Sequence, residues 1–192
     1  GSPAVNISDF PCLEHSYGYY LYDDEGVEAV KKALIRDGMI SGFLHNRETA
    51  YELGTNSNAA ARATSYGREP IVRMSNTFAE PGDFSLDELI GDVRQGVYIK
   101  TFQEWNIDDT RWNNRYVGLE AYAIEGGEIK SPVRSPIIEA TTEIIFSSVD
   151  AVGKEMIFKS ATCGKGQPDQ GAPVWVGGPP MRLRDLAIKS RS

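Results

Sequence analysis

The chain has 192 residues, of which 41% are hydrophobic and 24% charged, a composition typical of globular proteins that bury a core without disulfides. Its formal net charge is −7 and its Lys and Arg residues are scattered among acids, which argues against a nucleic-acid-binding surface. Because no apolar run approaches the roughly 18 residues that cross a bilayer and no signal peptide is visible, we expect no membrane partner and a cytoplasmic location.

The termini and the cysteines set the expected boundaries of the fold. Gly1 and Ser2 resemble the remnant of a cleaved expression tag, so we expect residues 3–192 to form a single domain. Two cysteines, Cys12 and Cys163, are too few to indicate a disulfide scaffold. We therefore expect two reduced thiols, as is usual for cytosolic proteins.

The N-terminal part of the chain is predicted to be rich in β-structure. Residues 17–22 are mostly aromatic and alternate in a two-residue pattern, which favours a strand covered on both faces. Asp37-Gly38 separates two apolar runs, and this pair suits the positive φ angles of a tight hairpin turn. The pattern predicts a β-hairpin made of residues 27–36 and 39–45.

A short helix and a long loop are predicted to follow the hairpin. Asn46 can cap a helix over residues 47–53, and Gly54 can end it. Residues 55–69 are rich in Asn, Ser, Thr, Ala and Gly, which indicates a loop of a length that is usually functional or mobile. A short strand is expected at residues 71–74.

The middle of the chain opens with a clear helix start. Ser85 and Glu88 have the spacing of a capping box, which predicts a helix that continues to about Gln95 and stops at Gly96. Residues 97–124 are rich in β-branched and aromatic residues and are predicted to form strands.

Two turns and an ambiguous segment come next. Asp108-Asp109 is expected to separate two strands, and Gly126-Gly127 to form a hairpin turn that leads into residues 128–133. Residues 137–149 fit a helical spacing but also have the β-branched content of a strand. We favour a helix here because Pro136 suits a first helical turn.

The C-terminal part is predicted to contain a strand at residues 156–158, glycine-rich loops over 161–180 and a terminal strand from Met181 to Ile188. Together the elements predict an α+β domain dominated by antiparallel strands, in a barrel-like or sandwich-like sheet with two or three short helices.

Cys163 lies in the segment that is the strongest candidate for a functional site, because Thr162 precedes it and Gly164-Lys165-Gly166-Gln167 follows. Glycines remove side-chain bulk and let a metal, a thiol or a peptide approach the backbone. The residues alone leave open a buried structural thiol and a functional one. A nucleophilic Cys163 would need His15 or His45 nearby.

Other polar patterns indicate local structure. The acid pairs of the chain are typical of turns and helix starts, where they satisfy backbone donors. Gly164-Lys165-Gly166 lacks the spacing of a phosphate-binding loop.

Five segments of the sequence stand in an order and spacing that cover nearly the whole chain: Asp23–Gly26, Leu34–Gly38 with Gly42, Arg73–Thr77, Cys163–Gln167 and Gly178–Pro180. Together they resemble the blocks of the TldD/PmbA family of metallopeptidases, also called modulators of DNA gyrase. The Cys-Gly-Lys block resembles that of the TldD branch. Its cysteine matches a metal ligand, and the PmbA or TldE branch of the family lacks the metal ligands.

The resemblance implies a zinc-dependent peptidase in which a helix with the pattern His-Glu-x-x-x-His supplies two ligands and a glutamate that activates water. Cys163 matches the cysteine ligand of that site. This chain contains no His-Glu pair, and its first residues match the region just after that helix. We therefore expect zinc in the full-length protein, none bound to this chain alone, and no peptidase activity from this chain alone.

The resemblance also implies partners. Members of the family are expected to act on unfolded or extended peptides, as a dimer with a related TldE/PmbA-type subunit or as a homodimer. A peptide could add as a strand to a sheet edge. The candidates to line such a groove are Arg73, Asn76, Gly164, Lys165, Gly166 and Gln167.

Two alternative functions stay open. The chain could be a non-catalytic peptide-binding or assembly module that pairs with a related subunit. It could also be a cysteine hydrolase that uses Cys163 as its nucleophile.

Overall fold

The computed structural model describes residues 1–166 and 169–190, and these residues fall into two units. Unit 1 consists of residues 1–5, 81–155 and the described residues from 180 onward. Unit 2 consists of residues 6–80 and the described residues of 156–179.

The described residues form three helices and seventeen strands. The helices are α1 (Arg47–Glu52), α2 (Leu86–Gly91) and α3 (Thr142–Ser147). The strands are β1 (Ile7–Asp9), β2 (Lys32–Arg36), β3 (Met39–Ile40), β4 (Ala61–Arg62), β5 (Ile71–Val72), β6 (Asn76–Ala79), β7 (Gln95–Ile99), β8 (Phe102–Ile107), β9 (Asn113–Gly118), β10 (Ala121–Glu125), β11 (Glu128–Pro132), β12 (Ile137–Thr141), β13 (Val149–Val152), β14 (Ile157–Lys165), β15 (Gln170–Gly178), β16 (Met181–Leu183) and β17 (Ile188–Lys189).

Unit 2 is built on a six-stranded sheet with the order β14-β15-β6-β1-β2-β3. Its neighbouring strands are antiparallel except for the parallel pair β15 and β6. A second, two-stranded ladder joins β4 to β5. Strand β14 therefore forms one outer edge of the larger sheet.

Unit 1 contains three smaller antiparallel sheets, with the orders β11-β10-β7, β17-β12-β9-β8 and β13-β16. None of the sheets formed by the described residues closes into a barrel. The prediction of an α+β fold with mostly antiparallel strands and two or three short helices is confirmed.

The two predicted hairpin turns are confirmed. Asp37 and Gly38 have φ angles of 49° and 73° between β2 and β3, and Gly126 and Gly127 have 59° and 80° between β10 and β11. Positive φ at both central residues gives the turn a twist that matches the flanking strands. The first hairpin is shorter than predicted, since its strands cover only residues 32–36 and 39–40.

The predicted helix caps are also confirmed. Asn46 Oδ1 accepts from Thr49 N at 2.9 Å at the start of α1, and Gly54 follows the helix with φ of 63°. Ser85 and Glu88 form the expected capping box of α2. The second helix ends at Gly91 rather than near residue 95, however, because the chain from Gln95 onward pairs with β10.

The strand predicted at residues 17–22 is wrong. The segment contains turns, and Tyr22 forms only an isolated bridge with Glu28. Tertiary contacts replace a ladder here: Gly18 N donates to the buried side chain of Asn76, and Tyr20 Oη donates to Ala59 O. A Cβ atom on Gly18 would lie 2.6 Å from Asn76 Oδ1, so this close approach requires glycine.

The helix favoured over residues 137–149 is wrong in its first part. Residues 137–141 form β12, which pairs with β9 along its whole length, and α3 covers only residues 142–147. Thr141 makes the change possible, since it ends the strand and its Oγ1 caps the helix by accepting from Ile144 N.

Glycine-rich loops were predicted over 161–180, but most of the described residues there belong to two long strands, β14 and β15. Strands β14 and β15 pair from Ile157↔Gly178 to Lys165↔Gln170. Gly177 lets Phe158 lie across β15, because a Cβ atom there would be 2.3 Å from the Phe158 ring. Phe158 stacks on Trp175 at 5.2 Å between ring centroids, so the glycines favour close cross-strand packing here.

The described helices are six residues long each, and none of them is long and apolar enough to cross a membrane.

A buried ion pair lies at the centre of the sheet of unit 2. Lys32 Nζ is 3.1 Å from Asp9 Oδ1, and the two side chains are 2% and 0% exposed. Burial lowers the pKa of Lys32 below its ordinary value of 10.5, and the charge of Asp9 opposes that shift. Asp9 also accepts from Ser75 N, Ser75 Oγ and Thr77 Oγ1 at 2.6–2.8 Å. The carboxylate therefore connects β1, β2 and the start of β6.

We predict that Lys32→Met lowers the free energy of unfolding by about 3–5 kcal/mol, because it leaves a buried carboxylate without its cation. Lys31→Met is the matched control, since the neighbouring Lys31 side chain is 46% exposed in its ion pair with Glu80. It should cost less than about 1 kcal/mol. Urea unfolding measures both changes, and equal losses would contradict a central role for the buried pair.

Candidate functional site

Cys163 lies near the end of β14, on the outer edge of the sheet of unit 2. It is part-buried, carries a free thiol and stands opposite the buried Ala172 of β15. Cys12 is the other free cysteine, and its Sγ is 3.5 Å from Tyr20 O. The expectation of two reduced thiols is consistent with this arrangement.

Three residues of β15 direct main-chain groups away from β14. Trp175 N donates to Ser75 O at 3.2 Å, next to the parallel strand β6. The carbonyl oxygens of Pro173 and Gly171 accept from side chains of the segment 62–64, at 2.9 and 2.7 Å. Successive residues of an antiparallel pair alternate between facing their partner strand and facing away from it.

The residues of β14 that pair with these three are Ser160, Thr162 and Gly164. By the same alternation, their N–H and C=O groups point to the open side of β14. Within the described residues β14 has no strand on that side. The edge beside Cys163 therefore offers main-chain donors and acceptors at every second residue.

The tip of the β14–β15 hairpin is supported by the segment 64–73. Thr64 N donates to Gln170 Oε1 at 3.0 Å, and Gln170 Nε2 donates to Glu69 O at 2.9 Å. Lys165 Nζ donates to Val72 O at 2.8 Å. These bonds hold both strands of the tip to the same stretch of chain.

Arg73 completes this support from inside the unit. Its side chain is 2% exposed, its Nη1 donates to Gln170 O at 2.9 Å, and its Nη2 donates to Cys163 O. Its Nε is buried without a hydrogen-bond partner. The long loop expected over residues 55–69 contains the strand β4. Ala60, which directly precedes β4, accepts a hydrogen bond at its carbonyl oxygen from Arg73 N.

Asn76 is also internal, with 0% exposure. Its Nδ2 donates to Phe10 O, Pro11 O and Ser16 Oγ at 2.8–3.2 Å, and its Oδ1 accepts from Gly18 N. The Asn76 side chain thus ties β6 to residues 10–18, whereas Arg73 bonds directly to β14 and β15.

Lys165 and Gly166 reach the surface of the tip. With the start of α1 and with β5 they line a depression of about 220 Å³: Asn46, Glu48, Thr49, Ile71, Val72, Lys165 and Gly166. Gln167, another predicted groove residue, lies outside the described residues. A larger depression of about 720 Å³ lies in unit 1 and includes none of the predicted site residues.

The donor set does not by itself form a metal site. Cys163 contributes one sulfur, and the described part of the chain contains no group of three His, Cys, Asp or Glu side chains that could hold a metal ion. His45 is largely buried and its Nδ1 contacts Thr49 Oγ1 at 3.3 Å, while His15 is exposed. A structural zinc site needs four ligands and a catalytic one usually three.

A second arginine lies close to Arg73. Arg62 Nη1 donates to Met74 O and Pro173 O, and its guanidinium lies 5.2 Å from the Tyr20 ring centroid. Burial lowers the pKa of Arg62, and the charge of Arg73 adds to this effect. Burial is likewise the largest cause of the raised pKa of Tyr20.

Two features of the site were missed by sequence reasoning. The glycines around Cys163 suggested loops, whereas the segment is an edge strand. Arg73 was expected to line the groove, and its link to the Cys163 carbonyl has no local sequence signal, because ninety residues separate the two.

The sequence matches the family described as PmbA/TldA metallopeptidase C-terminal domain over residues 1–190. This chain belongs to that family. The resemblance to TldD/PmbA proteins noted from the sequence is confirmed.

Similar proteins support the same assignment. The chain is 37% identical over 187 residues to a metalloprotease of Methanothermobacter thermautotrophicus, covering 97% of this chain and 40% of that protein. It is 31% identical over 189 residues to a zinc metalloprotease TldD homolog of Saccharolobus solfataricus, covering 98% and 42%. The crystal structure of TldE from Thermococcus kodakarensis has the same fold, with a TM-score of 0.79 and 21% identity over 98% of this chain and 40% of that one.

The chain spans about 40% of the length of these relatives. It therefore corresponds to the C-terminal domain of a metalloprotease family whose members carry further sequence.

Proposed function

We propose that this chain is the C-terminal domain of a TldD-like zinc-dependent peptidase that acts on extended or unfolded peptides. The observation that carries the proposal is the position of Cys163, a free thiol on an open edge strand, in a domain whose family is named for metallopeptidases. A relative named as a zinc metalloprotease supports zinc as the metal.

In this proposal Cys163 supplies one zinc ligand, and the other ligands and the general base come from sequence outside this chain. One thiolate is not a complete site, so the chain alone should hold zinc poorly and should not cleave peptides. Both expectations rest on the same observation, that the described residues contain no group of three His, Cys, Asp or Glu side chains that could hold a metal ion.

The peptide would bind as an added strand along β14. The outward N–H and C=O groups of Ser160, Thr162 and Gly164 would pair with the peptide backbone, whatever the peptide sequence. The side chain of Lys165 and the backbone of Gly166 would form the rim of the groove at the end of β14. Arg73 and Asn76 would act from within the unit, by holding the strands that carry the rim.

An alternative is a non-catalytic peptide-binding or assembly module that pairs with a related subunit. The lack of a metal-binding group among the described residues favours this alternative, and so does the shared fold with TldE of Thermococcus kodakarensis. The partner in either case would be a related TldE/PmbA-type subunit or a second copy. A zinc requirement for activity separates the enzyme from the module.

We predict that a longer form of the protein, with a His-Glu-x-x-x-His helix upstream, binds about one equivalent of zinc. Cys163→Ala in that form should reduce bound zinc to below about 0.2 equivalents and abolish peptidase activity, because the site loses its sulfur ligand. Cys12→Ala is the matched control and should retain both. Metal analysis of the purified proteins checks the result.

Intact zinc content and activity in Cys163→Ala would show that the ligand assignment is wrong. Activity that survives chelators but is lost on thiol alkylation would instead support a cysteine hydrolase.

We also predict that the chain itself binds a capped hexapeptide of alternating valine and threonine by strand addition. Methylation of alternate peptide nitrogens, on the edge that faces β14, should abolish binding because it removes the main-chain donors. Methylation of the other nitrogens should leave binding nearly unchanged. Calorimetry measures the affinities, and equal affinity for both methylated peptides would contradict main-chain pairing.

A further inference from the structure

Arg73 is an unusual buried cation. Its side chain is 2% exposed, yet among the described residues neither Arg73 nor its neighbour Arg62 forms an ion pair with a carboxylate. Buried charges are normally paired, because removal from water is costly. A guanidinium that is kept buried without a counter-charge must be held there by another interaction.

The contacts of Arg73 show what that interaction is. One terminal nitrogen donates to Cys163 O on β14 and the other donates to Gln170 O on β15, while Nε has no partner. Cys163 and Gln170 are not opposite each other in the ladder, since Cys163 pairs with Ala172. The planar fork of the guanidinium therefore spans the two strands diagonally at the hairpin tip.

The backbone of Arg73 is also held in place. Arg73 N donates to Ala60 O at 2.8 Å, directly beside the ladder of β4 and β5. Arg73 consequently links the main chain of Cys163 to that ladder, so that the position of one constrains the position of the other. The end of β14 is therefore tied at Cys163, through Arg73, to the chain beside β4.

We propose that Arg73 is the positioning residue of this site: it sets the path of the edge strand at Cys163 without touching the peptide. The part of this statement that concerns peptide binding rests on the proposed function. The part that concerns the backbone of β14 does not, and the two are tested separately.

Arg62 offers a matched control. It is also buried, at 9% exposure, and it also donates to a carbonyl of β15, but its hydrogen bonds within the described part of the chain go to Met74 O and Pro173 O rather than to β14. Arg62→Lys and Arg73→Lys therefore make the same chemical change at similar depth, and only the second removes the link to Cys163. Arg73→Met keeps an unbranched stem and removes the buried charge, which protects the test against a failure to fold.

The first experiment is amide hydrogen exchange on the purified chain. In Arg73→Lys and Arg73→Met, the amides of Cys163, Lys165 and Ala172 should exchange at least about tenfold faster, because the tip opens locally. The amide of Lys159, further along the same strand, should keep its rate. Arg62→Lys should leave the tip amides unchanged.

A uniform rise in exchange along β14, or the same change at the tip in Arg62→Lys, would overturn the proposal and leave Arg73 with a general structural role. Unchanged tip amides in both Arg73 variants would overturn it as well.

The second experiment measures binding of the unmethylated valine–threonine hexapeptide to the same variants. The wild-type chain and Arg62→Lys should bind alike, and the Arg73 variants at least about tenfold more weakly, since the edge strand loses its preorganised path. Equal binding by all four would overturn the link between Arg73 and the peptide. A wild-type chain that does not bind would count against the proposed function, while the exchange experiment would still decide the role of Arg73.

Discussion

The sheet of unit 2 depends on one buried carboxylate. Asp9 lies on β1 and receives Lys32 from β2, together with the Ser75 and Thr77 donors at the start of β6. A buried charge of this kind is stable only when every lone pair has a partner, and the four donors supply them. Because β6 pairs with β15 and β15 with β14, the position of the outer edge follows from this centre.

Three features come together at this edge: a thiol, unpaired main-chain groups and a buried arginine. The thiol of Cys163 stands beside main-chain groups that the ladder leaves unpaired, and a buried arginine fixes the carbonyl of the same cysteine. Glycines make the arrangement possible, since Phe158 and Thr162 pack over Gly177 and Gly171. In the proposed function, a peptide strand and a metal ligand would thus meet at this edge.

The sequence was sufficient to predict the turns and helix caps, because these depend on residues close together in the chain. The Asp37-Gly38 and Gly126-Gly127 turns and the Asn46 and Ser85 caps were predicted because one or two residues determine each of them. The strand predicted at residues 17–22 was wrong because contacts with Ala59 and Asn76 replace a ladder. Cys163 was identified through its resemblance to a family block. Its edge position, however, depends on the strand order of the sheet, and its link to Arg73 joins residues ninety positions apart in the chain.

The central claim is that Cys163 is a zinc ligand at an open strand edge. Zinc K-edge X-ray absorption on the longer, zinc-loaded protein tests it most directly. The account predicts one sulfur neighbour at about 2.3 Å from zinc, which disappears when Cys163 is replaced by serine. A spectrum with only nitrogen and oxygen neighbours in the unsubstituted protein would contradict it.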